Sequence, residues 1–316
     1  MDKIKIKKEY QKKIKNLIKL NRHYYELSKP LVEDQEYDQI KSEIFSLEKR
    51  YDFLKSEESP SKKVGYRPSK TFKKVLHKVS MLSLSNAFSE EDLINFEKKI
   101  INFLDKDSSF EIEYSAEPKI DGISASLTYQ KGKFTMGLSR GDGKEGEDIT
   151  QNLKTINDIP KEILIKDFPT DIDIRGEVFI GNKDFEKIKD KFANPRNAAS
   201  GSLRQKNPND TKKIPLKFIA YTFGHEKGMK VKKQNEYLQR LTGWGFKTNP
   251  FNKTLKGIQN LMNNYYEIEK KRNEIDFDID GIVYKINNFD LQKRLGNVAN
   301  SPRWAIAHKF SANKGI

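Results

Sequence analysis

The chain has 316 residues, of which 60 are Lys or Arg and 45 are Asp or Glu, so its formal net charge is +15. The basic excess favours a polyanionic partner, nucleic acid first, although a generally lysine-rich composition would give the same charge. The absence of cysteine excludes disulfides, thiol catalysis and cysteine-ligated zinc within this sequence, and the four histidines have no metalloprotease spacing. No segment resembles a signal peptide or a membrane span, so we expect a cytoplasmic protein without a membrane partner.

The first 66 residues predict a small helical module. Apolar residues recur at helical spacing over residues 1–28, Pro30 would end that helix, and Asp34 is a suitable N-cap for a second helix. Residues 55–70 are polar and contain two prolines and a glycine, which is typical of a linker. We therefore divide the chain into a helical module, 1–66, and a larger domain, 67–316.

The larger domain alternates between predicted helices and strands. The expected helices cover 90–103, 183–191, 232–243 and 255–272. The expected strands cover 111–140, with a hairpin turn at 130–133, and then 172–180, 215–224, 279–287 and 303–310. This irregular order is typical of an α+β fold with mostly antiparallel strands rather than a regular βαβ series.

The segment AEPKIDG, residues 116–122, places Lys119 between Glu117 and Asp121. A lysine is a nucleophile only when it is neutral, whereas two neighbouring carboxylates favour its charged form. A reactive Lys119 therefore needs further cations nearby or a metal ion on the carboxylates. A structural ion pair is the simpler explanation of this motif taken by itself.

Two lysines on predicted strands could supply those cations. In DIDGIVYKI, strand alternation gives Lys285 the small neighbours Gly281 and Val283 on its own face. In RWAIAHKF, Lys309 likewise shares a face with two alanines. Small neighbours leave room for an anion to lie across the sheet, although a solvated lysine on an edge strand is the alternative.

Three further polar segments carry weaker signals. Glu177, on a charged strand face, could bind a ribose hydroxyl or a cation if that face lines a cleft. Arg140 opens the glycine-rich SRGDGKEGED, whose backbone could approach a ligand closely. Arg196 and Arg204 share one face of a helix predicted to begin after Asn194, with no acidic residue in that segment, which suits phosphate contacts. An ordinary surface strand, hairpin or helix is the alternative for each.

The segment HYYELSKPLVEDQEYD, residues 23–38, gathers tyrosines and aspartates around a loop and a helix start. Aromatic rings and carboxylates together suit a flat cationic ring, by stacking and by charge. A tyrosine-lined core beneath the two helices is the alternative.

In chain order, these motifs resemble the adenylation region of bacterial NAD⁺-dependent DNA ligases over nearly the whole sequence: KxDG, RGDGxxGED, RGEV, ANPRNAAxGSLRQ, DGIVYK and AxxxKF. KxDG alone would also fit ATP-dependent ligases and RNA-capping enzymes. The tyrosine/aspartate segment and ANPRNAASGSLRQ are peculiar to the NAD⁺ class. The resemblance implies a mixed, mostly antiparallel nucleotidyltransferase domain of the ligase and capping-enzyme type, preceded by a module that grips the nicotinamide mononucleotide half of NAD⁺.

The resemblance also implies the chemistry. Lys119 would attack the α-phosphate of NAD⁺, form lysyl-AMP and release nicotinamide mononucleotide, while Lys285 and Lys309 contact the adenylate and its phosphate. Asp121 and Glu177 would hold the nucleotide and a Mg²⁺ or Mn²⁺ ion. Adenine or other nucleotide contacts are implied for Ser83, Leu84, Glu117 and Arg140. DNA contacts are implied for Arg196, Arg204 and Arg272. Contacts to the nicotinamide half are implied for Tyr24, Tyr25, Asp34, Gln35, Glu36, Tyr37 and Asp38.

This sequence departs from the family pattern in two respects. Some relatives have histidine at the position of Tyr25, and family members continue past the last lysine motif with an oligonucleotide-binding barrel, a four-cysteine zinc site, helix–hairpin–helix repeats and a further domain. We therefore expect a monomeric adenylation fragment that adenylates itself but seals nicked double-stranded DNA poorly. In the full-length enzyme, AMP would pass to a DNA 5′-phosphate during replication and repair. The alternatives are an ATP- or GTP-dependent enzyme of the same superfamily and a basic DNA-binding module without chemistry.

Overall fold

The computed structural model describes residues 3–21, 23, 31–32, 34–54, 59 and 72–311, and the side chains at positions 34 and 35 lie outside that description. The α-helices are α1 Lys3–Asn21, α2 Asp34–Arg50, α3 Glu90–Phe103, α4 Thr150–Leu153, α5 Asn182–Phe185, α6 Pro195–Leu203, α7 Pro208–Lys212, α8 Gln234–Gly243, α9 Ile258–Lys271 and α10 Phe289–Leu295. The strands are β1 Lys74–Leu76, β2 Ser85–Ala87, β3 Glu113–Ile120, β4 Ile123–Gln130, β5 Lys133–Ser139, β6 Glu145–Glu147, β7 Asp171–Ile180, β8 Leu216–Lys227, β9 Lys253–Lys256, β10 Ile279–Ile286, β11 Asn297–Val298, β12 Ser301–Pro302 and β13 Ala305–Lys309.

Helices α1 and α2 pack on each other through an apolar stripe. The stripe on α1 recurs every three or four residues, which places its members on one helix face. The Tyr10 hydroxyl donates to Glu48 Oε1 at 2.6 Å across the pair, inside the core. The predicted helix pair is confirmed, while the predicted extension of α1 to residue 28 and the 66/67 boundary fall outside the described residues and stay predictions. The core residues of the pair are Ile6, Tyr10, Ile14, Leu17, Ile44 and Leu54.

Two sheets form the body of the larger domain. A five-stranded sheet has the order β2-β13-β10-β3-β9, and a four-stranded sheet has the order β5-β4-β7-β8. Strands β13 and β2 pair in parallel, and the other pairings in these two sheets are antiparallel. The predicted α+β architecture with mostly antiparallel strands is confirmed.

Each sheet has one face covered by helices. Apolar residues of α3 and α9 share a core with the five-stranded sheet, and apolar residues of α6 and α8 share a second core with the four-stranded sheet. Helix α3 begins at the predicted residue because Ser89 Oγ accepts from the Asp92 amide at 3.2 Å and the Asp92 side chain accepts from the Ser89 amide at 3.1 Å. The other faces of the two sheets are left to line a common cleft.

The predicted hairpin between β4 and β5 is confirmed, and its turn explains the sequence there. Gln130 pairs with Lys133, so the turn consists of Lys131 and Gly132, both with positive φ (50° and 80°). Turns of this kind match the twist of the two strands and favour glycine at the second position. A Cβ on Gly132 would lie 2.2 Å from the Ile163 carbonyl oxygen, so no larger residue fits.

The helix predicted over 183–191 is wrong. The chain forms only the short α5, followed by a 3₁₀ turn, Lys189–Lys191, and Phe192 is extended. The first turn is tied to another segment, because the Asn182 amide donates to the Asp276 carbonyl at 2.8 Å. An isolated helix of this length is marginal in water, so such tertiary contacts decide its conformation.

Candidate active site

The cleft between the two sheets has a volume of about 830 Å³, within the range of small-molecule sites. Strands β3, β10 and β13 line one wall, and strands β4, β7 and β8 line the other. The segment 79–84 and three residues of α2, Tyr37, Asp38 and Lys41, also line it. The cleft therefore lies where charged side chains of both sheets can converge on one ligand.

The register of the five-stranded sheet brings the predicted lysines onto the cleft wall. Gly281 of β10 lies between Lys119 of β3 and Lys309 of β13. Lys285, four residues farther along β10, lies beside Ala305 of β13. All three lysines line the cleft, and the small residues between them leave its centre open.

Asp280 holds two of these lysines. Lys119 Nζ donates to Asp280 Oδ2 at 3.0 Å, and Lys309 Nζ donates to the same oxygen at 2.7 Å. Among the described residues, the buried Oδ1 of Asp280 has no hydrogen-bond partner. Burial acts to raise the pKa of Asp280, but the two ammonium groups outweigh it and hold the pKa well below its usual range. We call Asp280, Lys119 and Lys309 the Asp280 cluster.

A β-bulge places Asp280 on this wall. The pairing of β10 with β3 shifts between Ile279 and Gly281, so that Asp280 is the extra residue. Gly281 is required beside it, because a Cβ there would lie 2.3 Å from the His308 carbonyl oxygen. Strict alternation would put Asp280 on the face opposite to Gly281, which is why the sequence analysis missed it. A glycine inside a strand pattern was the available signal.

A second carboxylate on the same wall has different partners. Glu117 Oε2 accepts from Lys285 Nζ at 2.7 Å, and Oε1 accepts from Ser115 Oγ at 2.9 Å and from Gln234 Nε2 at 2.8 Å. The side chains of Lys285 and Glu117 are only 8% and 6% exposed. We call Glu117, Lys285, Ser115 and Gln234 the Glu117 cluster. The sequence did not point to Gln234, which lies inside the helix predicted over 232–243, is the first residue of α8 and has no local motif.

The opposite wall carries Glu177 on β7. Its Oε2 accepts from Ser124 Oγ at 3.0 Å and from the Tyr221 hydroxyl at 3.2 Å. Burial raises the pKa of Glu177 to about 7, although the charges of Lys119 and Arg196 act to lower it. Glu177 thus faces the cleft, as the sequence hypothesis required. Tyr221, which the sequence analysis did not identify, forms part of the wall.

The two predicted guanidinium groups line the cleft but are ion-paired. Arg196 Nη1 lies 2.6 Å from Asp121 Oδ1, and Arg204 Nε lies 3.1 Å from Glu147 Oε2. The segment that carries the two arginines contains no acidic residue, and both carboxylate partners come from distant parts of the chain. Arg272, by contrast, lies over the Phe310 ring at 5.5 Å and does not line the cleft.

The segment before β2 and the turn after β5 also line the cleft. Ser83 and Leu84 both line it, and the Ser83 amide donates to the Asn300 carbonyl at 2.8 Å. Arg140 lines it as well, and its buried Nε has no hydrogen-bond partner among the described residues. His77 Nε2 lies 3.1 Å from the Arg140 carbonyl oxygen, which fixes the backbone there.

Part of the helical module reaches the cleft. Tyr37 and Asp38 line it, and Asp38 Oδ2 lies 3.8 Å from Lys309 Nζ. The Tyr37 hydroxyl donates to Asn21 Oδ1 at 2.6 Å, whereas Glu36 is exposed and does not line the cleft. The remaining predicted nicotinamide-side contacts lie outside the described residues: Tyr24, Tyr25 and the side chains of Asp34 and Gln35.

Two known families match this sequence. Residues 69–313 match the family described as the NAD-dependent DNA ligase adenylation domain, and residues 3–65 match the DNA ligase-like, N-terminal NAD⁺-binding domain. The chain is 68% identical over 308 residues to a DNA ligase of Pelagibacter ubique, covering 98% of this chain and 46% of that protein. It is 45% identical over 301 residues to a DNA ligase of Parvibaculum lavamentivorans, covering 93% and 42%. The chain thus spans about half the length of these relatives.

Among solved structures, an archaeal ATP-dependent RNA ligase aligns with 73% of this chain and 48% of its own, at 13% identity and a TM-score of 0.42. Within the described residues, no helix combines the length and the apolar character needed to cross a membrane. The expected family and the expected nucleotidyltransferase architecture are confirmed by the family matches and by the observed fold. Since the first match covers most of the sequence, the chain belongs to the NAD-dependent DNA ligase adenylation domain family, with that family's NAD⁺-binding domain before it.

Proposed function

We propose that this chain transfers the adenylyl group of NAD⁺ to Lys119. The Lys119 nitrogen forms a bond to the α-phosphorus, the pyrophosphate P–O bond breaks, and nicotinamide mononucleotide leaves. Nζ must lose a proton to become the nucleophile. The observation that carries this proposal is the Asp280 oxygen shared by Lys119 and Lys309, which holds the nucleophile and a second cation together in the cleft.

The charge balance of the Asp280 cluster suits an anionic ligand. Two ammonium groups share the close carboxylate of Asp280, and the next carboxylate, Asp38, lies farther away, at 3.8 Å from Lys309 Nζ. Phosphoryl transfer depends mainly on in-line positioning and on stabilising the charge that develops on the phosphate. Lys309 supplies that stabilisation and Asp280 orients Lys119. Lys285 adds a further cation deeper in the cleft.

The Glu117 cluster suits the base. Glu117 accepts hydrogen bonds from protein donors and lines the cleft, so it is available to accept one from an adenine amino group. Ser83 and Leu84 form the adjoining wall. Arg140 Nε, which has no partner within the part of the chain that the structure describes, is a donor available to the ribose or the phosphate.

The helical module binds the leaving group in this proposal. Tyr37 and Asp38 line the cleft, and the proximity of Asp38 to Lys309 brings the module close to the phosphate site. An aromatic ring and a carboxylate suit the cationic nicotinamide ring. The same module would align the leaving group opposite Lys119. The further contacts proposed for this half of NAD⁺ are Tyr24, Tyr25, Asp34, Gln35 and Glu36.

Asp121 and Glu177 are the residues that would hold a magnesium or manganese ion. Within the described residues, no group of three or more acidic or histidine side chains forms a closed metal site. Mg²⁺ is usually held by one or two carboxylates together with substrate phosphates. Glu177 lines the cleft, and Asp121, next to the cleft-lining Gly122, is ion-paired with Arg196. The negative charge of Asp121 raises the pKa of Glu177, so the two carboxylates are close enough to interact. When bound, such an ion stabilises negative charge on the phosphate oxygens.

The DNA steps belong to the whole protein. We propose that Arg196, Arg204 and Arg272 contact a nicked duplex, to which AMP then passes for nick sealing in the bacterial cytoplasm. The net charge of +15 supports a DNA partner. The ion pairs Arg196–Asp121 and Arg204–Glu147 imply that phosphate contacts from these arginines would replace or extend an existing carboxylate contact.

The test is intact mass after incubation with Mg²⁺ and either NAD⁺ or ATP. The chain should gain one adenylate with NAD⁺ only, and Lys119→Ala should gain none. Lys187→Ala, which removes an exposed lysine outside the cleft, is the control and should react like wild type. An adduct with ATP instead would move the protein to the ATP-dependent class. No adduct from folded protein would contradict the proposal and favour a DNA-binding module without chemistry.

A further inference from the structure

We infer that Gln234 is a positioning residue that makes this cleft selective for a purine with an amino group at C6. It acts by fixing the carboxylate of Glu117. The inference rests on the proposed function, in which Glu117 faces the adenine of NAD⁺.

Gln234 is itself held rigidly. It is the first residue of α8, it is 1% exposed, and its backbone N–H donates to the Asn287 carbonyl at 2.7 Å. Its side-chain Nε2 donates to Glu117 Oε1 at 2.8 Å and to the Tyr221 carbonyl oxygen at 2.8 Å. A primary amide nitrogen has two hydrogens, so both are used and the plane of the amide is fixed.

The donors around Glu117 decide which oxygen can meet a ligand. A carboxylate oxygen accepts about two hydrogen bonds. Oε1 already accepts from Ser115 and Gln234, whereas Oε2 accepts only from Lys285 among the described residues. The acceptor capacity that is left therefore lies on Oε2, and a hydrogen-bond donor on the base must meet that atom.

A fixed acceptor distinguishes adenine from hypoxanthine. Adenine carries a donor amino group at C6, whereas hypoxanthine carries a carbonyl at C6 and has its donor on ring nitrogen N1. A carboxylate held towards C6 accepts a hydrogen bond from the amino group of adenine but repels the carbonyl of hypoxanthine. When hypoxanthine binds, the carboxylate and that carbonyl are therefore both left without a hydrogen-bond donor. A carboxylate that is free to turn could accept from N1 of hypoxanthine instead. The selectivity therefore depends on the residue that prevents the carboxylate of Glu117 from turning.

Gln234 is the partner whose removal isolates this effect. Without its amide, Oε1 still accepts from Ser115, and the Tyr221 carbonyl still accepts from Lys285 at 3.1 Å. No buried polar group loses its last partner, so the fold should survive the substitution. Substitution of the other two donors is less informative. Ser115 lies on the same strand as Glu117, and removal of Lys285 would also remove the charge that balances Glu117.

The experiment compares adduct formation from NAD⁺ and from nicotinamide hypoxanthine dinucleotide in the intact chain. Wild type should prefer NAD⁺ in kcat/KM. Gln234→Met keeps the shape and removes both donors, and we expect it to lower that preference by about 10-fold or more, equivalent to about 1.4 kcal/mol. Asn152→Leu is the control: Asn152 is a buried amide away from the cleft that also bridges two acceptors, Gln205 O and Thr211 Oγ1, each at 2.8 Å. It should keep the preference of wild type.

Two results would overturn the inference alone. One is a wild type that reacts with both dinucleotides equally well, and the other is a Gln234→Met variant that keeps the full preference. If Gln234→Met does not fold, Ser115→Ala removes the other donor to Oε1 and should lower the preference in the same direction; an unchanged ratio there also overturns it. A wild type that forms no adduct with NAD⁺ would remove the proposed function, and the inference with it.

Discussion

The Asp280 cluster and the Glu117 cluster lie on one face of one sheet, yet they are built on opposite principles. In the first, two ammonium groups share a single carboxylate oxygen, and the Lys119 side chain is 29% exposed. In the second, one ammonium group and two neutral donors satisfy a carboxylate that is almost fully buried. The three groups of the first cluster sum to one positive charge, which Asp38 offsets from 3.8 Å, whereas the second cluster is neutral by itself.

The difference follows from what each burial depth permits. A buried ion pair is tolerated when its charges balance and its remaining hydrogen-bonding capacity is largely used, as in the Glu117 cluster. An excess charge is tolerated only where water or an anionic ligand can reach it, as in the Asp280 cluster. We therefore expect the Glu117 cluster to matter most for stability and base selectivity, and the Asp280 cluster to matter most for the rate of adenylation.

Lys285→Met should have the largest effect on stability. The substitution leaves the buried Glu117 without a charged partner, and losses of this kind are about 3–5 kcal/mol in the free energy of unfolding. Urea denaturation followed by circular dichroism at pH 7 measures it. The double variant Lys285→Met/Glu117→Gln should recover part of the loss, because the unpaired charge is then gone. A double variant that shows the simple sum of the two single losses would contradict this explanation.

Lys309→Met should slow adenylation by about 10²–10³-fold, since one preorganised cation that stabilises charge in the transition state is removed. Its free energy of unfolding should change less than that of Lys285→Met, because Asp280 keeps Lys119 as a partner. Single-turnover formation of the adduct, followed by intact mass, gives the rate. A normal rate combined with a large loss of stability would reverse the proposed division between the two clusters.

His308 lies on the opposite face of the same sheet and is a buried titratable group without a charged partner in contact among the described residues. Its ring stacks on Tyr265 with centroids 4.1 Å apart, near Tyr284, and burial lowers its pKa to about 4 from 6.5, with the charge of Asp92 acting in the opposite direction. The unfolded chain takes up a proton below pH 6.5 while the folded chain does not. The contribution of His308 to the free energy of unfolding should therefore fall between pH 6.5 and pH 4, by up to about 3 kcal/mol, and not above pH 6.5. Glu177, whose pKa burial raises to about 7, contributes in the opposite direction over this interval, so the effect of His308 is read from the difference between wild type and a variant at this position.

The measurement is the free energy of unfolding at several pH values for wild type and His308→Gln. The variant should lose the part of the pH dependence that lies between pH 6.5 and 4. Equal slopes for the two proteins over this interval would show that His308 is not the responsible group.

Much of the site could be predicted from local sequence because its positions follow a regular period. Strand alternation predicted that Lys285 and Lys309 have small neighbours, and the observed register places both on the cleft wall. The capping residues of α3 and the Lys131–Gly132 turn also act within a few residues of chain. Such features depend on short-range geometry, which a single sequence contains.

The contacts that the sequence did not predict depend on a break in the strand period or on segments far apart in the chain. Asp280 reaches the cleft through a bulge that breaks the strand period. The carboxylate partners of Arg196 and Arg204 lie 75 and 57 residues away in the sequence. Gln234 meets Glu117 from 117 residues away. Only the bulge at Asp280 has a local signal, the neighbouring Gly281 inside a strand pattern, and the other contacts have none.

The sequence by itself determined the ordered motifs, the family to which they point, and the period that aligns the lysines on strands. Only the tertiary structure decided how the charges are distributed: two lysines on Asp280, one on Glu117, and a carboxylate against each of two arginines. The physical reason is that electrostatic balance depends on distance and burial between groups far apart in the chain, whereas strand and helix periods depend on neighbours.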